Sequence, residues 1–316
     1  HRSMFSAMDS KTATFRSLIA GPRQYRIPPF QRSYSWEKAE RETLWLDILN
    51  QYERLVPLWT LTDAEREERL ATIATHYLGT IVLAGPTALG VPKSDVIDGQ
   101  QRLTTLLLAL CALRDVRVRQ IRSAGASSQD LSDDLDLARR RVNNQFLLNA
   151  DADGDERLRL VPLAQDRKAF IACLNHDGVS PLNATTLGLG DDDSPKALQA
   201  YQFFNTELRR QQVNPGQNPQ LARFAHLYPL NLDIVQEVIA SRLTLIMIET
   251  KNLDDVNAIF ESLNATGRPL TQLDLLRNYI FMLLGGRADS VLRDHWAPMQ
   301  RDHLRPAEIE QLIWCD

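Results

Sequence analysis

Three stretches of the chain carry residue types and spacings suited to chemistry. The sharpest is VIDGQQRLTTLLLAL, residues 96–110. An apolar strand ends at Asp98, Gly99 permits a tight turn, and a helix begins at once. Free backbone N–H groups at a helix start form an anion site. Arg102 adds a forked donor suited to phosphate. Thr104 and Thr105 add hydroxyls, and Asp98 is placed to hold a divalent ion or to orient water. Gln100 and Gln101 complete the polar set. A plain capped helix, with Asp98 satisfying its own first turn, accounts for the same residues, and both possibilities stay open here. Two Gln and an Arg at the head of a greasy helix are nevertheless costly choices for capping alone.

The second stretch is YRIPPFQRSYSW, residues 25–36. Phe30, Tyr34 and Trp36 are able to stack on a base or to line an apolar pocket. Gln31 and Arg32 can reach a phosphate or a base edge. Pro28 and Pro29 stiffen the segment and deny it regular ladder bonding. The alternative is that the aromatics tuck the segment onto the core, which suits Trp36 in particular. The third stretch is IFESLNATGRPLTQLDLLRNY, residues 259–279. Asn264 to Gly267 breaks a helix and Arg268 projects from the break. Two helix ends meeting there can frame a ligand or form a simple corner. The Leu-rich face that follows argues against a groove-reading helix-turn-helix.

The elements that must position these stretches follow from periodicity. A short helix over 14–19 is stopped by Gly21-Pro22. A short strand over 23–27 leads to the prolines, and Ser35 is the expected N-cap of a helix from Trp36. Leu44, Ile48, Tyr52 and Leu55 give that helix one apolar face. A charged helical stretch covers 63–74. Strands at 77–83 and 94–97 form a hairpin-like pair feeding the helix 101–116. A loop or weak helix is expected over 123–136, and strands at 145–148 and 157–161 flank NADADGDE. That turn fails as a calcium loop: counted from Asp151, the required Gly falls on Glu156 and the closing Glu on Pro162. Residues 175–195 look like a flexible insertion. Helices at 196–212, 219–227 and 231–239 precede a strand at 243–249 that could rejoin the first sheet. A helix at 254–263 and another from Thr271 close the chain.

Composition narrows the class. The 316 residues are 44% hydrophobic and 24% charged, enough for one large domain or two ordinary ones. The formal net charge of −4 supplies no global pull toward nucleic acid, so any DNA contact must be local. Among the first fifty residues eight are Lys or Arg and five are Asp or Glu. No segment is long and apolar enough to span a bilayer. Cys111, Cys173 and Cys315 are too far apart for a metal site or a disulfide framework, and a cytoplasmic protein is expected. Walker A, HExxH, CxxC and nucleophile-elbow patterns are all missing, and the His residues are scattered.

Together, IPPFQRSYSW at 27–36, DGQQR at 98–102 and FESLNATGRPL at 260–270 resemble the GmrSD-type N-terminal domain family in content, order and separation. The family occurs in modification-dependent restriction systems, and the resemblance is nearest to its phosphorothioate-sensing, SspE-type members. It implies an α+β fold: a ParB/sulfiredoxin-like mixed core followed by a mainly helical region. The expected division is 1–122 for the sensing and hydrolysis core and 123–316 for the helical region, with a small hairpin and a strand that could rejoin the core. Sulfiredoxin chemistry is not implied, because its cysteine position reads DGQQR here.

By resemblance, Asp98, Gln100, Gln101 and Arg102 are the catalytic residues of nucleoside triphosphate hydrolysis. Gly99, Thr104, Asn264, Gly267 and Arg268 are expected at the nucleotide, though the resemblance assigns the 264–268 segment no definite role. Pro28, Pro29, Phe30, Gln31, Arg32 and Tyr34 are expected to sense modified double-stranded DNA. Mg²⁺ is the implied cofactor, with Asp98 its candidate ligand, and GTP or ATP the substrate. The apolar run near the C-terminus suggests a fragment whose downstream HNH nuclease domain lies beyond it in cis. A homo-oligomer stays open. The competing expectations are an inert DNA-binding adaptor, a sensor of another modification such as glucosylated hydroxymethylcytosine, and, least favoured, a nuclease.

Overall fold

The computed structural model describes residues 9–85, 91–124, 128–189, 194–214, 216 and 219–250. The third stretch, with Asn264, Gly267 and Arg268, and the helices expected from 254 onward lie outside the described residues.

The described strands form one six-stranded mixed sheet. They are β1 (Asp9–Thr14), β2 (Gln24–Arg26), β3 (His76–Ala84), β4 (Lys93–Asp98), β5 (Leu160–Val161) and β6 (Leu243–Thr250). The spatial order is β1-β6-β3-β4-β2-β5. β6 runs antiparallel to β1 and parallel to β3, so a strand from the end of the described chain lies inside the sheet. β3 and β4 form the antiparallel pair, and β2 lies parallel to both β4 and β5.

The helices are α1 (Phe15–Leu18), α2 (Lys38–Leu55), α3 (Asp63–Thr72), α4 (Gln100–Ser123), α5 (Ser128–Val142), α6 (Ala164–Leu174), α7 (Lys196–Arg209) and α8 (Leu232–Glu237). α4 is the axis of the molecule. Its Leu103, Leu106 to Leu113, Val116 and Val118 are all buried, which is how an all-round apolar helix must sit. α5, α6, α7 and α8 pack around it.

One charged pair lies inside this bundle. Arg114 Nε donates to Asp115 Oδ1 at 2.7 Å, and its other nitrogens donate to the carbonyls of Cys173, Leu174 and His176. Asp115 Oδ2 accepts from the Tyr201 hydroxyl at 2.8 Å and lies 2.9 Å from His176 Nδ1. The pair is neutralised, and Arg114 satisfies the last carbonyls of α6, which makes burial of a guanidinium tolerable.

Several local expectations change. The cap of α2 is Glu37, not Ser35: Glu37 and Glu40 form a reciprocal capping box, with the Glu37 N–H donating to Glu40 at 2.9 Å. α4 runs on past Val116 to Ser123, and an α5 helix covers much of the expected acidic loop. The expected strand at 145–148 is instead a wide helical turn, Asn143–Leu147, continuing α5. Among the described residues Leu148 alone bridges Leu158, because residues 143–147 keep their backbone groups within the helical turn. Cys111 and Cys173 are buried free thiols.

Candidate functional site

Gly99 makes the turn between β4 and α4. Its φ of +88° lies in the left-handed region, and a Cβ there would stand 3.1 Å from the Thr80 carbonyl oxygen. Both conformation and close approach therefore call for glycine. Among the described residues no side chain caps the N-terminus of α4. Asp98 does not close on its own first turn. It sits 3.6 Å from Arg102 Nη2, with 42% of its side chain exposed.

Arg102 lies back across β3. Its Nη1 donates to the Thr80 carbonyl at 2.6 Å. Space for the guanidinium exists because the strand residue beneath it is Gly79, at φ +127°; a Cβ there would fall 2.9 Å from Arg102 Cζ. The pairing of β3 with β6 shifts register between Tyr77 and Gly79, so the strand is deformed where the arginine crosses it. Gly79 and Thr80 escaped the sequence reading. The available signal was a glycine interrupting the strand pattern YLGTIVL.

The 27–36 segment lies directly on this turn. Gln31 is buried, and its Nε2 donates to the Ile97 carbonyl at 2.7 Å. Gln100 Nε2 donates to the Arg32 carbonyl at 3.0 Å. Gln101 holds the segment twice: Nε2 donates to the Ser33 carbonyl at 3.1 Å, and Oε1 accepts the Ser35 N–H at 2.8 Å. Tyr34 and Thr105 share a hydroxyl–hydroxyl bond of 2.8 Å. Gln165 bonds the Ser33 hydroxyl.

Placement decides what each side chain can reach. Tyr34 is buried, which pushes its hydroxyl up to about 12, and Trp36 packs against the core. The Tyr34 ring is enclosed, whereas Trp36 stays partly exposed. Pro28 is buried and Pro29 half-buried. Phe30 packs against Val82, Ala84 and Ile97 on the second face of the sheet. The Arg32 guanidinium is half-buried and makes no hydrogen bond or ion pair among the described residues. Thr104 is buried and lines, with Gln100, Gln101 and Tyr34, a cavity of about 10 Å³, room for one water.

Asp166, on α6, also had no signal in the sequence. Its Oδ2 accepts the Tyr34 N–H at 2.8 Å. Burial pushes its carboxyl up to about 6, against the lowering effect of that bond. Among the described residues no group of three or more His, Cys, Asp or Glu is arranged to hold a metal ion.

A family model described as the GmrSD restriction endonuclease N-terminal domain matches residues 15–281. The chain belongs to this family. No curated protein matches it. The match takes in both motifs just described and extends over 260–270. In this GmrSD N-terminal domain, the two motifs within the described residues thus form one hydrogen-bonded unit. Among the described residues no helix is long and apolar enough to cross a membrane.

Proposed function

We propose that this chain is the nucleoside triphosphate-hydrolysing, modified-DNA-sensing module of an anti-phage restriction protein. On this reading its sheet is ParB/sulfiredoxin-like, and its nearest functional kin are the SspE-type members that respond to phosphorothioate DNA. The observation that carries it is the direct bonding of the 27–36 segment to the strand end and helix head at 97–105. A ligand that shifts the segment must strain or break the bonds from Gln31, Gln100 and Gln101. Two ligands that favour different arrangements of one element are coupled through it.

Within this unit the side chains divide the work. The uncapped N-terminus of α4 offers its N–H groups to phosphate, and Arg102 adds positive charge beside them. Mg²⁺ would arrive with the nucleotide and neutralise charge on the transferring phosphoryl group. Asp98 is the one carboxylate at the turn among the described residues. A single carboxylate fits a magnesium ion whose other ligands are water and substrate phosphates. Gln100 and Gln101 act as positioning residues, because their amides are committed to the segment. On the DNA side, Arg32 would take a phosphate oxygen. Phe30 with Pro29 would offer an apolar surface to a sulfur, which loses less hydration there than oxygen. In the cell the module would report to a C-terminal HNH nuclease in the cytoplasm.

Phosphate release from GTP and ATP tests the hydrolytic half. Turnover should need Mg²⁺, stop on chelation, and fall at least about tenfold in R102A and D98A. Equal release in all samples would remove it.

The commitment of the Gln100 and Gln101 amides to the backbone of the 27–36 segment favours a second reading, an inert DNA-binding adaptor. It predicts DNA binding by wild-type protein with no turnover in the same assay.

A further inference from the structure

We propose that the cavity between α4, α7 and the turn 179–183 is a second anion site, built for an oligophosphate, free or carried on a nucleotide. The cavity measures about 370 Å³. That is within the size range of small-ligand pockets. α4 contributes Arg119, α7 contributes Asn205, Thr206 and Arg209, and the turn contributes Ser180 and Asn183. Among the described residues no Asp or Glu lines it.

The two arginines set it apart. Neither guanidinium makes a hydrogen bond or ion pair among the described residues. The neighbouring Arg114, Arg117 and Arg210 are all paired with carboxylates. Arg119 Nε is buried with no hydrogen-bond partner among the described residues. A buried donor left unpaired costs free energy that an incoming acceptor would recover. Two uncompensated guanidiniums facing one cavity select a multiply charged anion, and phosphate matches their forked donors.

The wall opposite is fixed in advance. Asp177 accepts from the N–H groups of Val179 and Ser180 at 2.7 and 2.8 Å and from the Ser180 hydroxyl at 2.6 Å. His176 Nε2 bonds the Ser180 carbonyl at 2.8 Å, and Gln202 Nε2 donates to the Leu182 carbonyl at 3.0 Å. The Asp177 charge is thereby spent on its own turn, and that of Asp115 on Arg114 and Tyr201. A wall held in this way needs little ordering when a ligand binds. Seventeen residues of α4 separate Arg119 from Arg102, roughly 25 Å along the helix, so one nucleotide cannot fill both sites.

The test is calorimetric titration of the whole chain with inorganic triphosphate, without Mg²⁺, and with GTP as a second titrant. R209A, R119Q and R102A are compared with wild type, and each variant's melting temperature checks its fold. Arg209 is exposed, so R209A decides the matter if R119Q fails to fold. Wild type and R102A should both show a triphosphate site that R209A and R119Q weaken at least about tenfold, whatever R102A does at the head of α4. GTP should retain an Arg209-dependent site in R102A if the cavity also admits nucleotides; its loss there, with triphosphate binding intact, narrows the ligand to the free oligophosphate. A site that persists at full affinity in R209A, or no triphosphate site left in R102A, overturns the proposal. So does a short DNA duplex that binds through Arg209 when triphosphate does not bind at all.

Discussion

Arg102 can lie across β3 because Gly79 has no side chain. G79A would put a methyl group into the guanidinium and force a non-glycine residue to φ +127°. The expected cost is about 1–3 kcal/mol in denaturant unfolding. Part of that cost is the clash with Arg102, so G79A should cost less in an R102A background than in wild type. Equal costs would mean that the backbone alone demands the glycine. Asp166 gives a pH-dependent counterpart. Its folded-state pKa, about 6, lies above the ordinary carboxylate value, so the folded protein binds its proton more tightly. The stability this group adds is complete below about pH 4 and is lost as pH rises through about 6. D166N keeps an oxygen for the Tyr34 N–H but carries no charge. Its stability should exceed that of wild type at pH 7, with the gain fading toward pH 4; a constant difference across unfolding curves from pH 4 to 7 would contradict this assignment. For Arg32, the expectation concerns DNA. R32A should weaken modified and unmodified duplexes alike and reduce the slope of log K against log salt by about one.

Among the elements, α2 shows how close a sequence reading comes and where it stops. A capping residue before Trp36 was legible, and serine is a good N-cap by type. The helix instead starts two residues on, because Gln101 claims the Ser35 N–H and the Glu37–Glu40 pair closes the first turn. Nothing local to Ser35 announces a glutamine from another element. E40A should therefore cost about 1 kcal/mol in thermal or denaturant unfolding, and S35A much less. The reverse order would restore Ser35 as the cap. The lost strand at 145–148 has a similar cause. Its apolar residues beside a turn were readable, but residues 143–147 continue the helix before them. The turn at Gly99 and the β3–β4 pair were legible because their signals are local: an apolar run, a glycine, and a helix head.

At the scale of the whole molecule, pairing between distant parts of the chain was the least legible feature. β6 enters between β1 and β3, and β5 joins β2 in parallel; neither register is written in a local pattern. The same holds for the site. The residues of DGQQR and of the 27–36 segment stood out by type, yet their contact, made by Gln100 and Gln101 to the backbone of the segment, did not. That contact is what makes sensing and hydrolysis a single device in the proposed function. The most direct test measures GTP and ATP turnover by the whole chain with Mg²⁺ against increasing amounts of a phosphorothioate duplex and of an unmodified duplex of the same sequence. The account predicts Mg²⁺-dependent turnover whose rate responds to the modified duplex and much less to the unmodified one. Turnover that is the same with either duplex and with none would contradict it.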